Sequence, residues 1–362
     1  SGLFSSVEII PDIQENYPGY VDLNINVREY KLSSIEADFG FSELSAWQNN
    51  LLTPGLDAHA KWTLGNVMNS ASNIIISCGI ASEINFQSIE NKSNLIQLDS
   101  KFIYTSPWTF NLRFPTILEL FYDVENDQDI SINRSGTSYL AYWEKTKTSR
   151  YEILATYEII NSDSMNIMEI NEPIRSVEFN YINNKVKNIF SPSGGTYLQF
   201  KTTLFGNILG GKRNFIKINY EYRKYMPIFK RGIIAIRLKF GYIENLDELS
   251  SLPSYYLFEL GGRTSLRGWP LPSTFSEPKN KFELFNLEYR FPIYKEWGGE
   301  IFYDAGSLVN SNEFSEYDLQ WNYGIGITYN TTIGPIRTEY ASPGNNNNEI
   351  DETFHASILY MF

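Results

Sequence analysis

The sequence predicts an all-β fold, a sixteen-stranded antiparallel transmembrane β-barrel, from three observations. First, no stretch of the 362 residues holds the roughly 18 consecutive apolar residues that a transmembrane helix needs. Second, aromatic residues make up 15% of the chain, with 25 Tyr and 24 Phe, although the mean hydropathy is only -0.29. Third, apolar and polar residues alternate along many segments, as in strands that have one lipid-facing or buried side.

The alternation is clearest in the second half of the chain, for example in segment 282–291. One face of this segment holds Phe285, Leu287, Tyr289 and Phe291, and the other holds Asn286, Glu288 and Arg290. A soluble β-sandwich also alternates in this way. However, polar faces that carry charges of both signs, and Tyr and Phe near the strand ends, favour a barrel with a wet lumen and an aromatic girdle.

Sixteen segments fit strands, an even number, as an antiparallel barrel with both termini on one side requires. They are predicted at 33–41, 44–49, 56–66, 96–106, 115–125, 136–145, 150–162, 173–183, 196–205, 214–224, 232–242, 282–291, 299–307, 320–330, 335–341 and 353–362. Region 43–95 is the hardest to divide, since residues 73–87 fit either an extra hairpin or an ordered loop. Short turns such as 333–335 and long loops such as 243–281 are typical of outer-membrane barrels.

Charge and rare residues exclude several classes of function. The net charge of -12 argues against a nucleic acid partner, which requires clustered Lys and Arg. We expect the lone Cys78 to act as a small apolar residue. His59 and His355 lie far apart without metal-ligand spacing, so we expect ordinary barrel or turn residues, no metal and no cofactor. No catalytic pair of carboxylates stands out, so we expect no enzyme activity.

One long loop carries the most specific motif of the chain. Within 243–281, the pair Gly261 and Gly262 precedes the tripeptide Arg267-Gly268-Trp269. This resembles the sixth-loop signature of the BamA and TamA superfamily of outer-membrane protein-assembly factors. Further pieces of the superfamily pattern occur in the same order at Asn188–Gly195, Asn286–Pro292, Phe302–Gly306 and Gly334–Arg337.

The resemblance implies that the sixth loop folds back into the lumen, where Arg267 pairs with acidic residues of the inner wall. In this sequence the partners would be Asp304 and Glu288, because the alternation places both on polar faces. A guanidinium suits a two-point contact with a partly desolvated carboxylate, and glycines permit close backbone approach or positive φ. The expected loop anchor comprises Gly261, Gly262, Arg267, Gly268, Trp269, Glu288, Asp304 and Gly306.

The resemblance also implies a lateral seam between the first strand, 33–41, and the last, 353–362. An unpaired strand edge is costly in lipid and can pair with an incoming strand. The chain ends on Phe362 after alternating aromatic and apolar residues, which resembles the β-signal of outer-membrane proteins. The residues expected at the seam and in this signal are Ser33, Phe39, Gly40, Phe354, Ile358, Tyr360 and Phe362.

Residues 1–31 resemble the end of a POTRA domain with its linker, and residues 32–362 resemble the barrel. The implied function is insertion or assembly of β-barrel proteins in the bacterial outer membrane. The partners would be outer-membrane lipid, nascent outer-membrane β-barrel proteins and periplasmic or lipoprotein accessory subunits. Two alternatives stay open: a two-partner secretion transporter of the same superfamily, and a structural or porin-like barrel without insertase activity.

Overall fold

In the part of the chain that it describes, the computed structural model contains eighteen β-strands and one short 3-10 helix, Asn207–Leu209. The described residues are 4–13, 21–29, 32–45, 52–67, 69–83, 96–109, 114–127, 130–164, 171–211, 213–228, 232–247, 252, 256–270, 277–310, 319–332, 334–344, 352–358 and 361–362. Among these residues, no helix is both long enough and apolar enough to cross a membrane.

The first two strands form a small sheet of their own. β1 (Phe4–Ile13) pairs antiparallel with β2 (Val21–Glu29), and the register places Ile9 opposite Ile25. Both of these isoleucine side chains are more than half exposed. The assignment of residues 1–31 to the end of a POTRA domain stays a prediction.

The other sixteen strands form one antiparallel sheet, in which each strand pairs with its neighbours in the chain, and the predicted fold class is confirmed. In order they are β3 (Ser33–Ser45), β4 (Leu52–Val67), β5 (Ser72–Glu83), β6 (Ile96–Ser106), β7 (Thr116–Asp127), β8 (Ile130–Thr146), β9 (Ser149–Ser164), β10 (Asn171–Asn184), β11 (Gly195–Phe205), β12 (Phe215–Ile228), β13 (Gly232–Asn245), β14 (Lys281–Tyr294), β15 (Trp297–Val309), β16 (Leu319–Thr331), β17 (Gly334–Pro343) and β18 (Thr353–Ile358).

The number of strands agrees with the prediction, but the strands at the start of the sheet differ from those predicted. Residues 44 and 45 of the strand predicted at 44–49 belong to β3, which continues to Ser45, and residues 46–51 lie outside the described residues. The undecided region 73–87 instead contributes β5. Its consecutive apolar residues Ile74–Ile76 obscure the alternation. The alternation is regular only from Ile76 onward, and the Ile76 side chain is exposed.

The chain divides into two compact units. The first comprises Ser1–Leu44, Thr53–Tyr142 and Thr156–Asn171, and the second comprises Ser45–Leu52, Trp143–Ala155 and Glu172–Phe362. The first unit contains the small β1–β2 sheet and strands β5 to β7. The second contains strands β11 to β18 and the long connection between β13 and β14.

In the second unit, strands β14 to β17 have one buried polar face and one exposed apolar face. On β15, Asp304 is fully buried, whereas Ile301 is 54% exposed. Glu288 and Asp304 both lie on the buried polar face, opposite the exposed apolar side chains. We call the buried face the loop face, because residues of the β13–β14 connection pack against it, and the other the outer face.

A hydrophobic cluster joins this connection to the loop face. Its loop members are Tyr256, Phe258, Leu260, Leu266 and Trp269, and its strand members are Phe215, Ile243, Phe282, Leu284 and Leu308. Burying such side chains contributes roughly 1.5–3 kcal/mol for each large apolar residue. The loop is therefore held by apolar packing over much of its length, and its polar motif lies within this packed region.

Candidate functional site

The loop motif closes on itself through its own backbone. The Gly262 N–H donates to the Trp269 carbonyl at 2.7 Å, and the Gly261 N–H donates to Ser265 Oγ at 2.7 Å. Gly261 and Gly262 have φ angles of 138° and 70°, which residues with a Cβ rarely adopt. The two glycines therefore set the turn that presents Arg267.

Small residues allow the motif to approach the strands closely. A Cβ on Gly268 would lie 2.6 Å from Asn322 Cβ and 3.1 Å from the Pro343 nitrogen. A Cβ on Gly306 would lie 3.0 Å from Leu260 Cδ1. Trp269 is 1% exposed, and its Nε1 donates to the Trp321 carbonyl at 3.3 Å. The motif thus rests directly on β15, β16 and β17.

Arg267 and Asp304 form a buried two-point ion pair. Arg267 Nε donates to Asp304 Oδ2 at 2.9 Å, and Nη2 donates to Oδ1 at 2.8 Å. The backbone N–H of Arg267 adds a third, longer bond of 3.3 Å to Oδ2. Both side chains are fully buried. This parallel pairing is the geometry in which a guanidinium binds a carboxylate most specifically.

Two glutamates complete the environment of the same guanidinium. Arg267 Nη1 donates to Glu288 Oε1 at 2.7 Å and to Glu339 Oε1 at 2.6 Å. Glu288 comes from β14, Asp304 from β15 and Glu339 from β17, so one loop side chain binds three strands. Replacing one partner in such a buried set leaves an uncompensated charge, which costs about 3–5 kcal/mol.

An aromatic ring covers the face of the guanidinium. Arg267 Cζ lies 3.5 Å from the centre of the Phe302 ring, a cation–π stack. A Cβ on Gly324 would overlap the end of that ring, so the glycine leaves the space in which Phe302 lies.

Two amides hold Asp304 in position. Asn286 Nδ2 donates to Oδ1 at 2.8 Å, and Asn322 Nδ2 donates to Oδ2 at 2.9 Å. Asn286 lies opposite Asp304 on β14, and Asn322 lies opposite it on β16. With the bonds from Arg267, both carboxylate oxygens have donors, as a buried carboxylate requires.

The charge network extends beyond the motif. Arg290 Nη2 lies 2.5 Å from Glu288 Oε2, and Arg337 Nη2 lies 3.1 Å from Glu339 Oε2. Arg337 Nη1 also lies 3.6 Å from the buried Glu300. The carboxylates of Glu288, Glu300 and Glu339 are near enough to one another to share a metal ion. Because the guanidinium groups of Arg267, Arg290 and Arg337 already lie against these carboxylates, we assign the carboxylates to the ion-pair network.

The carboxylates keep Arg267 charged despite its burial. Burial alone would lower the pKa of the guanidinium, but Asp304 and Glu288 outweigh this effect and raise the pKa well above its ordinary value. Arg267 is therefore a permanent cation in the interior, and its role is to fix the loop and not to exchange a proton.

The last strand also binds the motif. Thr353 Oγ1 donates to the Arg267 carbonyl, and His355 Nε2 lies 2.8 Å from the same oxygen. Arg263 Nη1 donates to the Ala356 carbonyl at 3.5 Å. Strand β18 is thus attached to the loop by side chains in addition to its ladder with β17.

The strand predicted to reach Phe362 is wrong at residues 361 and 362, which do not belong to a strand, whereas residues 359 and 360 lie outside the described residues. Strand β18 ends at Ile358, Tyr360 lies outside the described residues, and the Phe362 side chain is only 4% exposed. Its ring packs against Tyr225 and Ala235 of β12 and β13, and its carbonyl accepts a bond of 3.1 Å from Arg290 Nη2. The Phe362 ring thus packs on an apolar and cationic surface, whereas the alternation of the sequence predicted that Phe362 continues the ladder.

The other predicted seam residues lie on β3 and β18. Ser33 is exposed and its Oγ accepts a bond of 2.9 Å from Trp62 Nε1. Phe39 is 73% exposed and Phe354 is 69% exposed. A Cβ on Gly40 would have room, with its nearest neighbour Asp57 Oδ1 3.8 Å away. Ile358 belongs to the ladder opposite Ile336. The role of these residues in a seam stays a prediction.

Several members of the site were not predicted as site residues. They are Glu339, Arg337, Glu300, Phe302, Asn322 and the last-strand residues Thr353 and His355. For Arg337 and Glu339 a signal existed, since they alternate with the exposed Ile336 and Tyr340 on β17. The pairing of Glu339 with Arg267 spans 72 residues, which no local pattern reveals.

Comparisons with known proteins identify the family. Residues 84–359, which include the whole loop motif, match the model of the Omp85 superfamily domain. The chain belongs to the Omp85 superfamily. The predicted resemblance to the BamA and TamA superfamily is confirmed.

Solved structures share the fold of this Omp85 chain at low sequence identity. A crystal structure of BamA from Haemophilus ducreyi lacking POTRA domains 1-3 matches with a TM-score of 0.73 and 16% identity over 98% of this chain and 74% of that chain. CdiB from Acinetobacter baumannii matches with a TM-score of 0.56 and 10% identity, over 98% and 64% of the two chains. CdiB from Escherichia coli gives 0.58 and 10%, over 99% and 67%. At these identities the likeness concerns the fold.

Proposed function

We propose that this Omp85 chain inserts β-barrel proteins into the bacterial outer membrane, by offering the edge of its last strand to an incoming strand. Outer-membrane lipid and nascent barrel proteins would be its partners, with periplasmic or lipoprotein accessory subunits. The proposed role is not catalytic. BamA and CdiB both share the fold, so the fold alone does not select this activity. The proposal therefore rests on the last strand of the sheet.

The observation that carries the proposal is the short last strand. The described ladder between β17 and β18 covers the six pairs from Ala341–Thr353 to Ile336–Ile358, whereas β12 and β13 pair over fourteen. Phe362 does not belong to the strand and is buried against β12 and β13. A strand edge with few pairs leaves backbone groups that lipid cannot satisfy, so pairing with another strand is favourable.

The anchored loop supports the same function. Thr353 and His355 bind the Arg267 carbonyl, and Arg267 is held by three other strands. A short strand with few ladder bonds would otherwise move freely. In this proposal the loop keeps β18 in position, and the second edge of β18 receives the incoming strand. The seam with the first strand, β3, stays a prediction from the sequence.

Site-specific photocrosslinking tests the proposal. A photoreactive phenylalanine analogue replaces Phe354 on β18, and the protein is reconstituted in vesicles of phosphatidylethanolamine and phosphatidylglycerol. A urea-unfolded eight-stranded outer-membrane barrel serves as the client. We expect faster client insertion than in empty vesicles, and a crosslink between the client and position 354 during insertion.

The matched control places the same analogue at Ile325. This residue lies on the outer face of β16, within the sheet, and is 61% exposed, similar to the 69% of Phe354. Position 325 should give no client crosslink, because both edges of β16 are paired. Insertion no faster than in empty vesicles would favour a porin-like barrel and contradict the proposal. Equal crosslinking at both positions would contradict the role of the strand edge.

A further inference from the structure

A histidine lies among carboxylates on the polar face of β3 to β6, in the first compact unit. The register pairs His59 with Gly79, and Gly79 with Asp99, so the three residues follow one another across β4, β5 and β6. On β3, Glu36 lies 2.9 Å from Lys61, which aligns β3 so that Asp38 lies beside His59. We call Asp38, Asp57, His59 and Asp99 the His59 cluster.

The imidazole has a carboxylate on each side. His59 Nε2 lies 3.3 Å from Asp57 Oδ2, and ligand atoms of Asp38, Asp57 and His59 all lie within 4.8 Å of one another. On the other side, a Cβ on Gly79 would overlap both His59 Nδ1 and Asp99 Oδ1. Because Gly79 has no Cβ, His59 Nδ1 and Asp99 Oδ1 can both occupy the space beside it.

We propose that Asp38, Asp57 and His59 bind a divalent cation of the zinc type, and that Asp99 positions the imidazole. Histidine ligands commonly donate their second ring N–H to a carboxylate, which fixes the tautomer and turns the other nitrogen toward the metal. Here Nδ1 and Asp99 Oδ1 both lie over Gly79, and Nε2 lies 3.3 Å from Asp57 Oδ2. The position of the imidazole between carboxylates, and not the number of acidic residues, distinguishes the cluster from an acidic surface patch.

The donor set and the charge fit a zinc ion better than calcium or magnesium. Imidazole nitrogen is a ligand for zinc and other transition metals, whereas calcium and magnesium prefer oxygen alone. Side-chain rotation brings such atoms onto an ion with bonds of about 2.0–2.2 Å. The neighbouring Lys61 is paired with Glu36, so a bound cation would add positive charge beside Asp38 and Asp57. The ion would join β3 to β4.

The sequence did not predict this site. Asp38 and Asp57 lie 21 and 2 residues from His59 along the chain, and Asp38 belongs to a different strand. Strand pairing brings Asp38 beside Asp57 and His59, so the proposal departs from the expectation that His59 is an ordinary barrel residue without metal-ligand spacing. The proposal is independent of the proposed insertase function, because it concerns binding to the first unit alone.

Zinc titration of the refolded protein in detergent micelles tests the proposal. The parent protein for the test is Cys78→Ser, because the exposed Cys78 thiol could itself bind zinc. Isothermal titration calorimetry with Zn²⁺ should show one saturable site per chain. Saturating Zn²⁺ should also raise the unfolding temperature, since a ligand that binds only the folded state stabilises it.

Three variants in this background discriminate the roles. His59→Gln should abolish saturable binding and the rise in unfolding temperature. Asp99→Asn should weaken binding about 10–100-fold, as loss of a carboxylate behind a ligating histidine does. Glu125→Gln is the matched control, because Glu125 lies on β7 and contacts Gln97 outside the cluster. It should bind zinc like the parent.

Circular dichroism establishes first that each variant is folded. Absence of a saturable site in the parent protein would overturn the proposal. Undiminished binding by His59→Gln would overturn it as well, and undiminished binding by Asp99→Asn would overturn the positioning role of Asp99.

Discussion

Two ion pairs in this chain have the same length but different surroundings. Lys61 Nζ lies 2.9 Å from Glu36 Oε2, and Arg267 Nε lies 2.9 Å from Asp304 Oδ2. The first two side chains are 42% and 58% exposed, whereas the second two are fully buried. Water screens the exposed pair, whose contribution is about 0.2–1 kcal/mol, while loss of one buried partner costs about 3–5 kcal/mol. The covering loop, and not the distance, decides what each pair contributes.

The comparison also separates two uses of the same sequence pattern. Both regions alternate charged residues with apolar ones along a strand. Where the β13–β14 connection covers the loop face, the charges must satisfy one another, and Arg267 binds three carboxylates. In the His59 cluster no described segment covers His59, which is 43% exposed. Covered charges hold the fold together, and accessible ones remain able to bind a ligand.

The largest expected effect comes from reversing the buried charge. Arg267→Glu places a fourth carboxylate among Glu288, Asp304 and Glu339. We expect it to lower the free energy of unfolding by at least about 3–5 kcal/mol, because a buried charge loses its partner. Urea unfolding in detergent measures this, and limited proteolysis with mass spectrometry should show new cleavage within 248–276.

A charge swap is the control for that variant. Adding Asp304→Arg to Arg267→Glu should restore part of the stability and of the protection from protease. If neither Arg267→Glu nor Asp304→Arg alone changes the proteolysis pattern, the loop is not anchored by this pair.

A methyl group on the motif should have an intermediate effect. Gly268→Ala adds a Cβ 2.6 Å from Asn322 Cβ, so the loop must move away from β16. Overpacking of this kind costs about 1–3 kcal/mol. The control is Gly194→Ala, where the nearest atom would be 3.8 Å from the new Cβ. Equal urea midpoints for the two variants would contradict the close approach at Gly268.

Removal of one hydrogen bond between the last strand and the loop should have a smaller effect. Thr353→Val deletes the hydroxyl that donates to the Arg267 carbonyl and nearly preserves the shape. The expected loss is about 0.5–1.5 kcal/mol. Hydrogen exchange of the β18 amides should accelerate. The control is Thr338→Val, an exposed change on β17, which should leave the exchange of the β18 amides unchanged. Similar acceleration by both variants would contradict a specific hydrogen bond between Thr353 and the loop.

The smallest effect is expected at the exposed pair. In a double-mutant cycle with Glu36→Gln and Lys61→Gln, the coupling free energy should be about 0.2–1 kcal/mol and should fall as salt increases. A chelator in the buffer removes any contribution from a cation in the adjacent His59 cluster. A coupling above about 3 kcal/mol would contradict the conclusion that burial decides the strength of these pairs.

Much of the fold and part of the site could be predicted from the sequence, because local signals specify them. Alternation in β14 and β15 placed Glu288 and Asp304 on one face, and the glycine-flanked motif identified Arg267. Glu339 was missed because its contact depends on the order of distant strands. Phe362 was misplaced because its alternation with earlier apolar residues fits a strand, while its burial depends on Arg237 and Arg290, which lie within 5.6 Å and 5.5 Å of its ring.

The spread of the Arg267 contacts along the chain has a consequence for folding. Its partners Glu288, Asp304, Glu339 and His355 lie 21, 37, 72 and 88 residues further along the chain. Contacts of such long sequence separation form slowly, because the intervening chain must first lose its freedom. Arg267 cannot complete its contacts until the final strand has arrived. Full docking of the loop therefore requires the C-terminal third of the sheet to assemble, and a chain truncated before Thr353 should keep the contacts of Arg267 with β14, β15 and β17 but lose those with β18.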